Sequence, residues 1–118
     1  MNAKPIIIFD TNSNLIRFEG IFMAISSWDN RGEIIDDVKR YIVNKEKVLV
    51  EFNLIYVDSM SRKVFFEIFN LLKSENKSNS HQISVVWQYD PEDETIFELG
   101  KVLQEVVHQK VTFVEIPD

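Results

Sequence analysis

The chain has 118 residues, a formal net charge of −6 and no cysteine. This length fits one domain spanning residues 1–118, and a hydrophobic content of 45% is enough for a packed core, which argues against general disorder. The acidic balance argues against a nucleic-acid partner, the missing cysteines exclude disulfides and thiolate chemistry, and the apolar runs are too short for a membrane span or signal peptide. We therefore expect a soluble cytoplasmic protein that binds neither nucleic acid nor membrane.

The first half of the sequence alternates strand and helix patterns. An apolar run at residues 6–9 and an alternating run at 15–19 flank a polar turn, which predicts a β-hairpin. Apolar residues at helical spacing predict a helix over 29–44, and strict alternation predicts a strand over 47–57. We expect this strand to bury one face, formed by Val48, Val50, Phe52, Leu54 and Tyr56.

The second half continues the same alternation. A stripe with a period of 3.6 residues predicts a helix from Ser59 to about Lys73, followed by a polar loop over 74–80. Residues 83–89 alternate as a strand, and 111–116 form a last one.

The remaining helix is predicted to begin at Asp90-Pro91, with Asp90 as its N-cap and acidic residues in its first turn. The order β-β-α-β-α-β-α-β indicates an α/β fold, with a single-layer mixed sheet of about five strands and helices packed on it.

The segment after the hairpin has no clear period. Residues Ile21 to Ile25 are apolar and allow two interpretations. Either they belong to the core, or they form an exposed patch that pairs with another protein or makes a homodimer.

The sequence offers little catalytic chemistry. His81 and His108 are isolated, and the acidic run Asp90 to Glu94 lacks the ligand spacing of a calcium loop, so helix capping explains it better. The three glycines are too far apart to build a phosphate cradle. We therefore expect no catalytic residues, no metal and no cofactor.

Ser59 stands where the central strand gives way to a helix, and two interpretations are open. It either caps the helix, or it is a regulatory phosphoacceptor at the carboxyl edge of the sheet. A phosphate there would hardly affect folding, but it would be costly to desolvate beneath a docked protein.

The stretch from Tyr56 to Lys63 resembles the segment Tyr-x-Asn-Thr/Ser-Ser-Ser-x-Lys of the SiaC family of bacterial regulatory phosphoproteins, which resemble STAS-type anti-sigma-factor antagonists. The matching positions are Tyr56, Ser59, Ser61 and Lys63, while Asp58 and Met60 depart from the pattern. A second block, residues 87–100, resembles the family's Trp-x-Tyr-Asp-x-Asp-Asp-Glu-x-x-x-Glu-x-Gly.

The resemblance implies a non-enzymatic, STAS-like partner-switching protein involved in cyclic-di-GMP signalling. A Ser/Thr kinase would phosphorylate Ser59, with Ser61 as the secondary candidate, and a PP2C-type phosphatase would reverse the modification. The unmodified form would bind an effector such as a diguanylate cyclase. The partner-binding residues would be Tyr56, Asp58, Met60 and Lys63.

One segment departs from the family. Members usually carry Gly-Arg-Ser-x-Pro-Glu-Asn after the second strand, whereas this chain has the apolar run Gly20 to Ser26. This departure bears on the choice of partner. Two other classes of function stay open: an α/β domain that binds a small ligand or performs catalysis at the carboxyl edge of its sheet, and an assembly module that dimerises through Ile21–Ile25.

Overall fold

The computed structural model describes residues 4–23, 31–77 and 82–116. It confirms the predicted order of elements. The elements are β1 Pro5–Asp10, β2 Leu15–Phe22, α1 Arg31–Ile42, β3 Lys47–Val57, α2 Ser59–Lys77, β4 Gln82–Tyr89, α3 Glu94–Val107 and β5 Thr112–Glu115.

The five strands form one mixed sheet in the order β1-β2-β3-β4-β5. The β1–β2 hairpin is antiparallel, and the other three strand pairs are parallel. Because strand order follows chain order and crossovers between parallel strands are right-handed, the three helices lie on one face of the sheet. Side-chain burial agrees, since alternate residues of β2 and β3 are buried while most of those between them are only half-buried.

Aromatic side chains fill the space between the sheet and its helices. Phe18 and Phe52 stack at 5.0 Å between ring centroids, and Phe65 from α2 meets both rings edge-on. Trp87 continues the cluster, 5.4 Å from Phe52. These rings are fully buried, so the aromatic residues of adjacent strands and α2 form the centre of the core.

Helix α3 packs closely on β4 at a glycine. The indole of Trp87 donates a hydrogen bond to the carbonyl oxygen of Ile96 at 3.1 Å. A Cβ atom at Gly100 would lie 2.7 Å from two atoms of that indole, so no larger residue fits unless the ring moves. The glycine in the middle of this helix is therefore explained by close packing.

The pairing of β2 with β3 contains an irregularity near its end. Gly20 pairs with Leu54 and Ile21 with Tyr56, which leaves Ile55 as an extra residue. The alternation of faces reverses there. Val57 is buried at 3% exposure, whereas Tyr56 is 50% exposed, so the prediction that Tyr56 shares the buried face was wrong.

Helix α2 is longer than its apolar stripe indicates. It continues through Lys77, and the prediction of a loop from residue 74 was wrong for 74–77; residues 78–80 lie outside the described part. The side chain of Asn76 explains the extension, because its amide donates to the carbonyl oxygen of Ile83 at 3.1 Å and its oxygen accepts from the Ile83 amide at 3.0 Å.

Helix α3 starts later than predicted. Its N-cap is Asp93, which accepts a hydrogen bond from the amide of Ile96 at 3.1 Å, so the prediction of Asp90 as the cap was wrong. Asp90 instead accepts from the amide of Glu92 at 2.9 Å and closes a turn between β4 and α3.

The apolar segment after the hairpin is in part a continuation of β2. Phe22 is fully buried, which confirms the core interpretation for that residue, and Ile21 and Met23 are half-buried. The rest of the segment lies outside the described residues, as do residues 29 and 30 of the predicted first helix. Within the described ranges, no helix is both long and apolar enough to cross a membrane.

Candidate phosphorylation site and docking surface

Ser59 is the first residue of α2, directly beyond the carboxyl end of β3. The N-cap is its neighbour Asp58, whose Oδ1 accepts from the Ser61 amide at 2.9 Å and whose carbonyl oxygen accepts from the Arg62 amide at 3.0 Å. The capping interpretation of Ser59 is therefore wrong, because Asp58 performs that role. The side chain of Ser59 is left exposed at the surface.

The two candidate hydroxyl groups differ sharply in accessibility. Ser59 is exposed, whereas Ser61 is only 1% exposed and lies on the buried side of the first turn of α2. A kinase must bring its active site to the hydroxyl oxygen, so a phosphoryl group reaches Ser61 only if this turn opens. Ser59 offers its hydroxyl without any such opening.

Three large apolar side chains within four residues of Ser59 in the sequence are exposed. Ile55, Tyr56 and Met60 are 47%, 50% and 49% exposed, and we refer to them as the apolar rim. The extra residue in β3 is what places two of them there, because the reversal of faces turns Tyr56 away from the core. Clusters of exposed apolar side chains mark sites of protein contact.

The start of the divergent segment lies beside this rim. Ile21 pairs with Tyr56, and the Asp58 amide donates to the carbonyl oxygen of Phe22 at 3.1 Å. Ile21 and Met23, both half-buried, thereby extend the apolar surface near Ser59. The start of the segment that departs from the family pattern thus adjoins the candidate site at Ser59.

A groove runs between α2 and α3 and reaches the apolar rim. Its wider part encloses about 420 Å³, and it is continuous with a narrower cleft of about 210 Å³ beside Ile55 and Tyr56. We call the two together the α2–α3 groove. Both parts are lined by Arg62, Thr95 and Leu99.

The α2–α3 groove joins the two blocks of sequence that carry the resemblance. Arg62 belongs to the first block, and the carboxylates of Asp93, Glu94 and Glu98 line the groove from the second. Apart from Arg62, the polar lining of the groove is acidic or neutral. Lys63 is exposed at the surface of α2 and is absent from this lining.

Structural contacts shift the pKa values of Asp10, Tyr41 and Tyr89. The amide of Asn12 lowers the pKa of Asp10, and burial raises the pKa of Tyr41, whose hydroxyl accepts from the Leu15 amide at 3.0 Å and donates to the carbonyl oxygen of Asp10. Burial also raises the pKa of Tyr89, with Glu115 nearby as a second cause.

The geometry provides a surface suited to recognition. Among the described residues, no group of three or more histidines or carboxylates is placed to hold a metal. His108 ends α3 in a left-handed conformation at the opposite edge of the sheet from Ser59, and His81 lies outside the described residues.

Sequence reasoning missed several residues of this surface. Ile55 is exposed only because of the irregular β2–β3 pairing, which leaves no pattern in the sequence. Arg62 and Thr95 line the groove because α2 and α3 pack side by side. The signal for Arg62 was present in its spacing, since it lies one helical turn after Ser59.

Comparisons with known proteins give a consistent result. The family model of the SiaC family regulatory phosphoprotein matches residues 1–116. An uncharacterised protein of Pseudomonas aeruginosa, strain UCBPP-PA14, is 26% identical over 104 residues, which make up 87% of this chain and 82% of that protein.

Two solved structures share the fold. A chain in the crystal structure of the diguanylate cyclase SiaD in complex with its activator SiaC, from P. aeruginosa, superposes with a TM-score of 0.84 at 21% identity, with coverage of 98% of this chain and 95% of that one. A structure of SiaC from P. aeruginosa gives a TM-score of 0.77 at 22% identity, with coverage of 97% and 91%.

Proposed function

The chain belongs to the SiaC family of regulatory phosphoproteins, and we propose that it is a partner-switching protein controlled by reversible phosphorylation of Ser59. As a member of this family it is a regulatory protein rather than an enzyme. The proposal concerns which hydroxyl carries the phosphate, and what the phosphate does to a bound partner.

The modification is an ordinary phosphoryl transfer. A Ser/Thr kinase transfers the γ-phosphoryl group of ATP to the Ser59 oxygen, so that one O–P bond forms, the β–γ bridge breaks, and ADP and a proton leave. A PP2C-type phosphatase hydrolyses the ester, which restores the hydroxyl and releases inorganic phosphate. Both partners would act in the cytoplasm.

The observation that carries the proposal is the exposure of Ser59 next to the apolar rim. Because Ser59 precedes Met60 in the first turn of α2, a partner that covers the rim would also cover Ser59. Phosphorylation would place a charge of about −1.5 to −2 in the middle of that contact. Desolvating such an anion costs several kcal/mol unless the partner supplies cations, and each 1.4 kcal/mol is a factor of about ten in affinity.

The fold should tolerate the same phosphate. Ser59 occupies the first turn of α2, where backbone amides and the helix dipole favour an anion, and the adjacent carboxylate of Asp58 opposes that gain. The side chain is at the surface, so its modification displaces no core residue. Phosphorylation would therefore alter binding far more than stability.

For the effector we propose a diguanylate cyclase. SiaC of P. aeruginosa has been crystallised with the cyclase SiaD, which it activates. This chain shares the family and the fold of that protein, but the segment from Gly20 onward differs from the family pattern and lies beside the docking surface. The cyclase bound by this chain would therefore present an apolar contact to Ile21 and Met23.

Intact-mass analysis after incubation with the cognate kinase and ATP tests the site. We expect the wild-type chain to gain one phosphoryl group, Ser59→Ala to gain none, and Ser61→Ala to gain one, because Ser61 is buried. A full mass gain in Ser59→Ala would place the modification elsewhere and overturn the proposal.

Binding of the cyclase tests the consequence. We expect the phosphorylated chain to bind at least about tenfold more weakly than the unmodified chain in isothermal titration calorimetry. Equal affinities of the two forms would contradict partner switching even if Ser59 is the modified residue.

A further inference from the structure

Arg62 lies within reach of a phosphate on Ser59. Residues three apart on a helix are neighbours on its surface, and helical side chains lean toward the N-terminus, so the side chain of Arg62 can turn from the groove to the first turn of α2, which contains Ser59. Arg62 is exposed, and its side chain makes no ion pair or hydrogen bond with the described residues. It is thus available to a new anion.

The surroundings of Ser59 are otherwise mostly anionic. Asp58 precedes it on the same turn, and Asp93, Glu94 and Glu98 of α3 line the groove that Arg62 also lines. From β3, the neutral side chain of Tyr56 borders the site, and on α2 the one other cation near it is the exposed Lys63. A phosphate therefore meets like charges unless a cation turns toward it.

We propose that Arg62 is the intramolecular counter-ion of phosphorylated Ser59. Its planar guanidinium can donate two parallel N–H bonds to the phosphoryl oxygens, a geometry that the ammonium of Lys63 cannot reproduce. Arg62 acts here as a positioning residue. It holds the phosphate against α2 and offsets the repulsion from Asp58.

The pairing also changes the α2–α3 groove. When Arg62 turns to the phosphate, the groove keeps the carboxylates of Asp93, Glu94 and Glu98 and loses the one cation among its described lining residues. Phosphorylation of Ser59 would thereby make a surface one helical turn away more acidic. The inference deepens the proposed function and rests on Ser59 carrying the phosphate.

The test is a ³¹P NMR titration of the second ionisation of the phosphate on Ser59. The phosphoserine can be installed by the kinase or incorporated during translation, so the measurement does not depend on kinase recognition. We expect Arg62→Gln to raise this pKa by about 0.3, the equivalent of one helical ion pair, because the dianion loses its counter-charge. Arg62→Lys should restore part of the difference.

Two further variants sharpen the result. Asp58→Asn keeps the capping oxygen but removes the negative charge, so it should lower the same pKa. Arg40→Gln is the matched control, because Arg40 also belongs to a helical i,i+3 pair, with Asp37 at 2.8 Å, but lies in the last turn of α1 at the opposite edge of the sheet. It should leave the titration unchanged.

The inference is overturned if Arg62→Gln leaves the pKa of the phosphate on Ser59 unchanged. It is also overturned if Lys63→Gln shifts that pKa and Arg62→Gln does not. Neither result touches the proposed function, which fails on separate grounds, when the kinase leaves Ser59 unmodified or when the phosphate leaves partner affinity unchanged.

Discussion

The sheet differs between the side where its parallel strands begin, here called the amino edge, and the side where they end, the carboxyl edge. At the amino edge, where the parallel strands begin, long polar side chains fasten the ends of the helices to the strands. At the carboxyl edge, where the strands end, the structure exposes Ser59 and three apolar side chains. One edge is fastened by internal hydrogen bonds, and the other offers groups suited to an external partner.

The amino edge has one such tie for each helix. Tyr41 of α1 bonds the backbone of Leu15, and Asn76 of α2 holds both the amide and the carbonyl of Ile83. Gln104 of α3 accepts from the amide of Val111 at 2.8 Å. Each tie joins the end of a helix to the start of the following or a neighbouring strand, so the layers are fixed at this edge.

Under the proposed function, this contrast would let the protein change partners without a change in its fold. Substitutions in the core or at the amino edge should lower the free energy of unfolding, whereas substitutions at the carboxyl edge should lower affinity and leave stability nearly unchanged. Five substitutions test this separation.

The largest loss of stability is expected for Gly100→Ala. The added methyl would lie 2.7 Å from the Trp87 indole, and overpacking of this kind costs about 1–3 kcal/mol. Gly32→Ala is the control, because a Cβ there meets no atom within 4 Å and alanine favours the helix, which should stabilise by about 0.5–1 kcal/mol. Urea denaturation measures the free energy of unfolding of both variants. A change of the same sign in the two would contradict the packing argument.

Asn76→Ala should cost about 2 kcal/mol, because it removes two hydrogen bonds and leaves backbone groups of Ile83 unpaired. Asn70, exposed on the same helix, provides the control: Asn70→Ala should change stability by less than about 0.5 kcal/mol. Cyclase affinity should be the same in both variants. A weaker complex for Asn76→Ala would show that the two edges are coupled.

Tyr56→Ala should reverse that pattern. Its half-exposed ring is the largest side chain of the apolar rim, and we expect cyclase affinity to fall at least tenfold, about 1.4 kcal/mol, with little change in the urea midpoint. Val106→Ala truncates another exposed apolar side chain. It lies near the C-terminus of α3, at the amino edge of the sheet, and its truncation should leave cyclase affinity unchanged. Equal effects of the two would remove the apolar rim from the interface.

Tyr41→Phe should cost about 1 kcal/mol at neutral pH through its lost hydrogen bonds. Burial raises the pKa of Tyr41 above its ordinary value of 10.0, so the folded state holds this proton more tightly than the unfolded state. The stabilisation is complete below pH about 10 and is lost as the pH rises through the folded pKa.

Urea denaturation at a series of pH values between 8 and about 11 tests this predicted loss of stability. The alkaline loss of stability should be smaller in Tyr41→Phe than in the wild type, and the remainder is expected from Tyr89, whose pKa burial also raises. An identical alkaline slope in the two proteins would rule out Tyr41 as its source.

The smallest effect on stability is expected for Ser59→Asp. The side chain is exposed and Asp58 already caps α2, so the free energy of unfolding should stay within about 0.5 kcal/mol of the wild-type value. Cyclase binding should nevertheless be lost. A variant that unfolds easily would show that the first turn of α2 cannot accept a second negative charge.

The sequence predicts the architecture well because the architecture depends on repeated patterns. The alternation in β3 and the apolar stripe of α2 each involve many residues, so one exception does not obscure them. Features fixed by single contacts were missed. The end of α2 depends on the two bonds of Asn76 to Ile83, and the start of α3 depends on which of two aspartates, Asp90 or Asp93, caps it.

The candidate site was predictable in position but not in its surface. The change from strand to helix at Ser59 is evident from periodicity, and the resemblance indicates why that hydroxyl matters. The exposure of Ile55 and Tyr56 follows from one extra residue in the pairing of β3, and the burial of Ser61 follows from its place on the inner side of the first turn of α2. Neither is a property of a residue's type.

The agreement between strand order and chain order has a consequence for synthesis. As the nascent chain leaves the ribosome, each new strand finds its neighbour already present, so no segment waits for a distant partner and few unpaired strand edges are exposed at once. The sheet can grow from one side to the other. Ser59 emerges midway through this growth, before α3, which forms one wall of the α2–α3 groove, has been translated.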